Sequence, residues 1–472
     1  MMGVSNMKQK IATIATVVLI LILLAYQEAT TASFNEEEVH FRSGDVTLEG
    51  TILVPVGAGR RPAIVLVHGA GLGPRDDYRA EAEAFAQAGF VTLIYDKRTE
   101  GYASMIGSRS YALLAGDALA AVSRLREHPH VDPDAVGLWG LSEGAWVAPL
   151  ATSQSEKVAF LVLVAATGVP PAQQTAWNME NELRRRGVSG SMVRALSHSY
   201  IRWLVAADLF AEATYDPVPA WEQVRQPALL LWGALDRTAP AAESAQIIQA
   251  ALERGGNQRY TIRFFEQADH ELRASPDGFQ QFDSFTPGYF DTVAGWVRQV
   301  ALGETPGPIT ATLPPQERQS PEIVIQLAWY EAGGWLLLIV AILLVITLLV
   351  YPLISLRRIL RRDPPVSTPL KWPARLLVAT GLVVVLGLHV YLSAVWIDMD
   401  ATLGTLFAGR PLPWLTLQIL AVVALICTIL LAISWWVRHS RPEGLERLRL
   451  ALVLFGGMVF IPWAMYWGLI LP

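Results

Sequence analysis

Four uncharged apolar runs close this chain, at about 333–354, 376–397, 412–437 and 450–471, and each is long enough to cross a hydrocarbon layer of about 30 Å as a helix. Lipid offers no water to an open amide, so a segment that crosses it satisfies its own backbone, which a helix does within one run. The rest of the chain folds in water. Over the 472 residues 52% are hydrophobic and 17% charged, a balance that reflects these runs. The formal charge of -5 gathers in no block and gives no reason to expect nucleic acid or a strongly charged substrate as a partner. The one cysteine, Cys427, lies inside the third run, so neither an intrachain disulfide nor a thiolate metal cluster can form.

Basic residues set an expected orientation. Arg357, Arg358, Arg361, Arg362, Lys371 and Arg375 separate the first run from the second, and Arg438, Arg441, Arg447 and Arg449 the third from the fourth, whereas Arg410 stands alone between the second and third. The positive-inside rule then puts the first and third connections in the cytoplasm and the globular segment outside the cell membrane. Trp335, Trp396, Trp414, Trp435, Trp436, Trp463 and Trp467 lie near the run ends, where indoles favour the interface. At the N-terminus Lys8 and Lys10 precede an uncharged run, 11–25, in the order of an export signal. Small residues at Thr30-Thr31-Ala32 offer a cleavage site, but the run is also nearly long enough to stay as an anchor. Residues 1–33 therefore read as a signal peptide or a signal anchor.

Residues 34–302 read as one globular domain. Alternating residues at 38–42 and 46–53 around Ser43-Gly44-Asp45 predict an antiparallel hairpin. The runs 63–67, 91–95, 135–139, 159–164, 228–232 and 260–264 are almost wholly apolar, as strands covered on both faces are. Helical patterns at 78–88, 111–127 and 292–302 lie between or after them, which gives an α/β fold with a mostly parallel sheet. Residues 170–227 interrupt the rhythm with a polar, Arg-rich helical pattern, read as a helical cap insertion over the mouth of a site. Its Trp177, Trp203 and Trp221 suggest apolar substrate contacts. A Pro-rich linker, 303–321, leads to an all-α transmembrane region, 322–472.

The strand expected at 135–139 runs straight into Gly140-Leu141-Ser142-Glu143-Gly144, and a helical pattern follows from about Ala145 to Thr152. A serine attacks a carbonyl when a tight turn lifts it above the sheet edge, and flanking glycines let strand and helix close on that turn. The serine needs a base held in one tautomer by a carboxylate. His270 follows the strand 260–264 and fits the base. Asp236 follows the strand 228–232 and fits the acid, with the neighbouring Asp269 as competitor. The oxyanion requires backbone N–H donors. Glu143 supplies one, and the loop Val67-His68-Gly69-Ala70-Gly71 the other, from Ala70 or alternatively Gly69. His68 reads as a packing residue under this loop, and Asp76, Asp77, Asp96 and Arg98 as ion pairs or loop caps rather than metal ligands. His389, inside the second apolar run, reads as a partner in a helix–helix hydrogen bond.

Together these residues resemble the α/β-hydrolase superfamily, and within it the bacterial exported esterase and acyl-peptidase-like branch. The matching pieces are His68-Gly69, Tyr95-Asp96-Lys97-Arg98, the segment 140–144, residues 233–240 and His270. Thr99-Glu100 and Ala145 stand where the family often has glycine. The resemblance implies hydrolysis of carboxylic esters or related acyl compounds, with no metal or organic cofactor and a small acyl molecule as substrate. A serine peptidase or an acyltransferase uses the same triad. A membrane sensor or assembly subunit whose globular domain only binds is the reading from another class. Lipid is the partner of the apolar helices, and no protein partner is legible.

Overall fold

Alternating polar and apolar residues fold into a hairpin, β1 (Phe34–Ser43) and β2 (Val46–Pro55), turned at Gly44 with φ 61°. This is a computed structural model that describes residues 34–102, 110–304, 307–322, 327–331, 334–362, 371–437 and 444–470. The export segment expected at 1–33 lies outside them. The continuous apolar runs become β3 (Arg61–Val67), β4 (Val91–Tyr95), β5 (Val131–Leu141), β6 (Leu161–Val164), β7 (Ala228–Gly233) and β8 (Tyr260–Phe265). Neighbouring residues on a strand point to opposite faces, and Ala63, Ile64, Val65 and Leu66 are all fully buried, so both faces of the sheet are covered.

With a short last strand, β9 (Ile309–Thr310), the strand order is β1-β2-β4-β3-β5-β6-β7-β8-β9, antiparallel through β1, β2 and β4 and parallel from β4 onward. Helices α1 (Arg79–Gln87), α2 (Tyr111–Arg126), α3 (Gly144–Ser153), α4 (Pro171–Arg185), α5 (Ala241–Arg254) and α6 (Tyr289–Ala301) connect or follow these strands. The order reverses between β3 and β5, and the crevice outside the strand ends at such a reversal is where α/β sheets bind ligands.

Two segments depart from the sequence reading. The ninth strand, β9 (Ile309–Thr310), pairs with β8, and farther on Gln316 and Ser320 both donate hydrogen bonds to Glu243 of α5. Residues 309–320 of the segment expected to form a linker are therefore laid along the domain. The cap, too, is shorter than 170–227. It comprises α4, the helix Ser191–Arg194, a π-helical turn Ala195–Tyr200 and the helix Ile201–Ala206. The next helix, Val218–Trp221, carries Trp221 into the main hydrophobic core together with Val224, so it belongs to the domain body.

Among the described residues four helices are long and apolar enough to cross a membrane: α7 (Trp335–Arg361), α8 (Lys371–Ile397), α9 (Leu412–Val437) and α10 (Gly444–Tyr466). Small residues set their spacing, since a Cβ on Gly457 would lie 2.4 Å from Thr428 Oγ1 and one on Gly456 2.8 Å from Thr347 Oγ1. His389 Nδ1 lies 2.8 Å from the Val385 carbonyl of its own helix, and its ring stacks on Trp463. The expected interhelical hydrogen bond is replaced by a ring contact. The cap docks on one end of this bundle, where Leu183, Met192 and Leu196 share a buried cluster with Leu388, Trp414 and Trp467.

Candidate active site

Ser142 stands between β5 and α3 at φ 54°, a left-handed conformation that costs a non-glycine residue strain and turns its side chain out of the sheet. The turn holds because its neighbours have no side chains. A Cβ on Gly140 would meet the Gly144 carbonyl oxygen at 2.6 Å, and one on Gly144 the Val67 carbonyl oxygen at 2.4 Å. The Ser142 amide donates to Val164 O at 3.0 Å, which ties the turn to β6. The Ser142 hydroxyl itself takes no hydrogen-bond partner among the described residues.

The structure brings Asp236 and His270 together, with His270 Nδ1 donating to Asp236 Oδ2 at 2.9 Å. Asp236 Oδ1 accepts from the amides of Thr238 and Ala239, both at 2.8 Å, so the carboxylate is held from three directions in a side chain with no exposure. The loops carrying the two residues touch because β7 ends in Gly233, whose Cβ would lie 2.1 Å from Asp269 O. Burial disfavours the charged imidazole, but the charge and hydrogen bond of Asp236, helped by Glu271 and Asp269, outweigh it and raise the His270 pKa above 6.5. Asp269 caps its own loop instead, with Oδ1 accepting from Glu271 N and Arg273 N.

On the other side of Ser142 lies the loop after β3. His68 is buried beneath it and donates from Nε2 to Tyr95 O at 2.5 Å; burial lowers its pKa to about 4, which keeps the ring neutral. The Gly69 amide is taken by Tyr78 Oη at 2.7 Å and the Gly71 amide by Tyr102 Oη at 3.0 Å. Between them the Ala70 amide has no partner among the described residues, and Ala70 is exposed. Of the two amides left open by the sequence, Gly69 N–H is therefore engaged and Ala70 N–H is not, among the described residues.

A buried ion pair spans the gap between this loop and the serine turn. Lys97 Nζ sits 2.5 Å from Glu143 Oε1 and 2.7 Å from Gly69 O, over the face of the Tyr102 ring. Tyr102 Oη donates to Glu143 Oε1 at 3.1 Å. Lys97, Tyr78 and Tyr102 were not among the site residues expected from sequence. The signal for Lys97 is its place, a lysine two residues beyond a wholly buried strand. Arg98 and Asp117 form a second buried pair, with Arg98 Nε 2.6 Å from Asp117 Oδ2, and Asp96 Oδ1 accepts from the Arg75 amide. These groups act as ion pairs and caps.

Of the cap tryptophans, Trp221 is in the domain core and Trp203 packs on Tyr200 toward the helical bundle, so neither is the substrate contact expected. The cap reaches the site through α4, where Gln174 Nε2 donates to Thr238 O at 2.6 Å and Asn181 Nδ2 to Arg237 O at 2.7 Å. These are the two residues after Asp236.

Residues 120–276 match the family model described as the C-terminal region of BAAT and acyl-CoA thioester hydrolases. Esterase EstD of Thermotoga maritima is 27% identical over 290 residues, 54% of this chain and 68% of that protein. Thiohydrolase aneE of Aspergillus aculeatus is 28% identical over 135 residues, 28% of this chain and 42% of that protein. Among solved structures, a dienelactone hydrolase from Anabaena variabilis aligns over 58% of this chain and 100% of its own, at 19% identity and a TM-score of 0.37.

Proposed function

We propose that this chain, which belongs to the α/β-hydrolase superfamily, is a membrane-anchored serine hydrolase that cleaves carboxylic esters or thioesters through Ser142, His270 and Asp236. The observation that carries the reading is the Asp236–His270 hydrogen bond, taken together with a serine held at positive φ in a glycine-flanked turn. With Nδ1–H committed to Asp236, the other ring nitrogen, Nε2, is the one left to act as base.

The chemistry follows from these positions. Ser142 Oγ attacks the acyl carbon while His270 takes its proton, and the oxyanion that forms is stabilised by the amides of Ala70 and Glu143. Collapse expels the alcohol or thiol, which receives the proton from His270. Water then attacks the acyl-enzyme with His270 as base, the Ser142–acyl bond breaks, and Ser142 regains its proton. The hydrolase domain lies outside the cytoplasm in this reading, as the arginines around α7, α8 and α10 favour.

The test is labelling of membranes that contain the full chain with an active-site fluorophosphonate. Covalent labelling that Ser142→Ala and His270→Ala both abolish is the expected result. An unlabelled, folded wild-type chain overturns the proposal and leaves the domain as a binding module.

A further inference from the structure

The cap is rooted in the helical bundle rather than poised over water. Among the described residues its apolar face meets the end of the bundle where α7 and α9 begin and α8 and α10 finish. Gly334 before α7 abuts Ala207, Tyr200 Oη lies 3.0 Å from Ser393 Oγ of α8, Gln418 Nε2 of α9 donates to Ser191 Oγ at 3.1 Å, and Ser199 Oγ donates to Tyr466 O of α10 at 3.5 Å. Arg202 and Glu331 add a buried two-point ion pair, with Arg202 Nε 2.9 Å from Glu331 Oε1, and Tyr466 Oη donates to the same carboxylate. Lifting the cap toward water would strip all of these and expose the cluster around Leu196 and Trp467.

The same insertion borders the site. α4 carries Gln174 and Asn181 onto the loop after Asp236, while its Ala172 and Ala176 pack with Ile201 and against Trp396, at the end of α8. Exposed Trp329, Tyr330 and Trp335 cluster at this end, where aromatic side chains mark a headgroup layer. On the outer wall of the same end is a cavity of about 320 Å³, lined by Ile419, Val422, Leu469 and Ile470 with Gln418 and Arg410 at its polar edge. Arg410 donates to Gln418 Oε1 at 3.3 Å and meets no carboxylate among the described residues. The cavity falls in the size range of ligand pockets and joins an apolar slot to a cation.

We infer that the acyl substrate is a membrane-resident amphiphile that reaches Ser142 from the leaflet on which the cap rests. This inference rests on the hydrolase reading given above. Each methylene drawn from lipid into water lowers the concentration of a long-chain ester about fourfold. A site bordered by an element seated at the leaflet removes that loss, because the ester bond is presented while its chain stays in lipid.

The experiment uses the full chain in phosphatidylcholine vesicles, with 4-methylumbelliferyl palmitate as the membrane ester and p-nitrophenyl butyrate as the soluble one. Palmitate ester in the enzyme's own vesicles is expected to turn over at least about tenfold faster than the same amount in separate, protein-free vesicles. At constant bulk ester, its rate should fall as inert phosphatidylcholine dilutes it in the surface. Equal rates from the two vesicle populations, with butyrate hydrolysed normally, overturn membrane delivery and leave the hydrolase reading intact. Loss of both activities together with an unlabelled Ser142 overturns the hydrolase reading itself, and this inference with it.

Discussion

Lys97 Nζ lies 2.5 Å from Glu143 Oε1, and both side chains are buried, which couples the residue after Ser142 to the loop that carries Ala70. Removing one member of a buried pair leaves the other charge without its partner and costs about 3–5 kcal/mol. Lys97→Met is therefore expected to lower both the melting temperature and kcat. Lys97→Met with Glu143→Leu should recover most of the melting temperature and leave kcat about a hundredfold low, because the loop is no longer drawn toward the serine turn. Steady-state kinetics beside thermal denaturation check this; recovery of kcat along with stability would reduce the pair to a purely structural role.

The raised pKa of His270 fixes the acid side of the rate profile. Only the neutral imidazole accepts the Ser142 proton, so kcat/KM should fall as pH drops through a value above 6.5. Asp236→Asn removes the charge that raises it. The acid limb should then move to lower pH, and the rate should drop about 10⁴-fold as the imidazole loses its tautomer. An acid limb in the variant at the wild-type position would assign the titration to another group.

Gly144→Ala places a methyl 2.4 Å from the Val67 carbonyl, a backbone atom that cannot turn aside. The expected loss is about 1–3 kcal/mol of stability, with a larger loss of fluorophosphonate labelling because the turn that presents Ser142 must open. Gly295→Ala serves as control, since a Cβ there meets nothing within 4 Å. Comparing labelling rates of the two folded variants decides the point.

The cap's ion pair gives a fourth prediction. Arg202→Leu strands the Glu331 carboxylate and should destabilise the chain by about 3 kcal/mol, while Arg202→Leu with Glu331→Leu should restore most of it. Thermal unfolding in a single detergent reads both. Equal stability of the single variant and wild type would mean that the pair is solvated.

What was legible in sequence was whatever depended on neighbours in the chain. The hairpin, the buried strands and the serine turn each announce themselves through local alternation, continuous burial or a pair of glycines. Asp236 and His270, which the structure joins by a hydrogen bond, could be singled out because each follows a core strand. Lys97 and Glu143 stand 46 residues apart, and their meeting depends on β4 lying beside β3 and β3 beside β5, which no local pattern encodes. The apolar faces of the cap misled for a related reason. Trp203 and Leu196 repeat at helical spacing whether they face a substrate or another helix, and the structure turns them toward α8 and α10. Val218–Trp221 has the same pattern and faces the domain core instead. Residues 303–321 looked like a tether because proline dominated them, while the one strand pair and the contacts to Glu243 came from only a few residues.

The rooting of the cap also bears on how the molecule would respond to a protease. A cut within 303–321 falls after the cap in the chain, yet the cap would stay buried in the bundle through Leu183, Met192 and Leu196. The nicked halves should remain one particle, so the α/β domain would not be shed by such a cut. Expressed alone, residues 34–302 would carry a greasy face that was made for another part of the same chain.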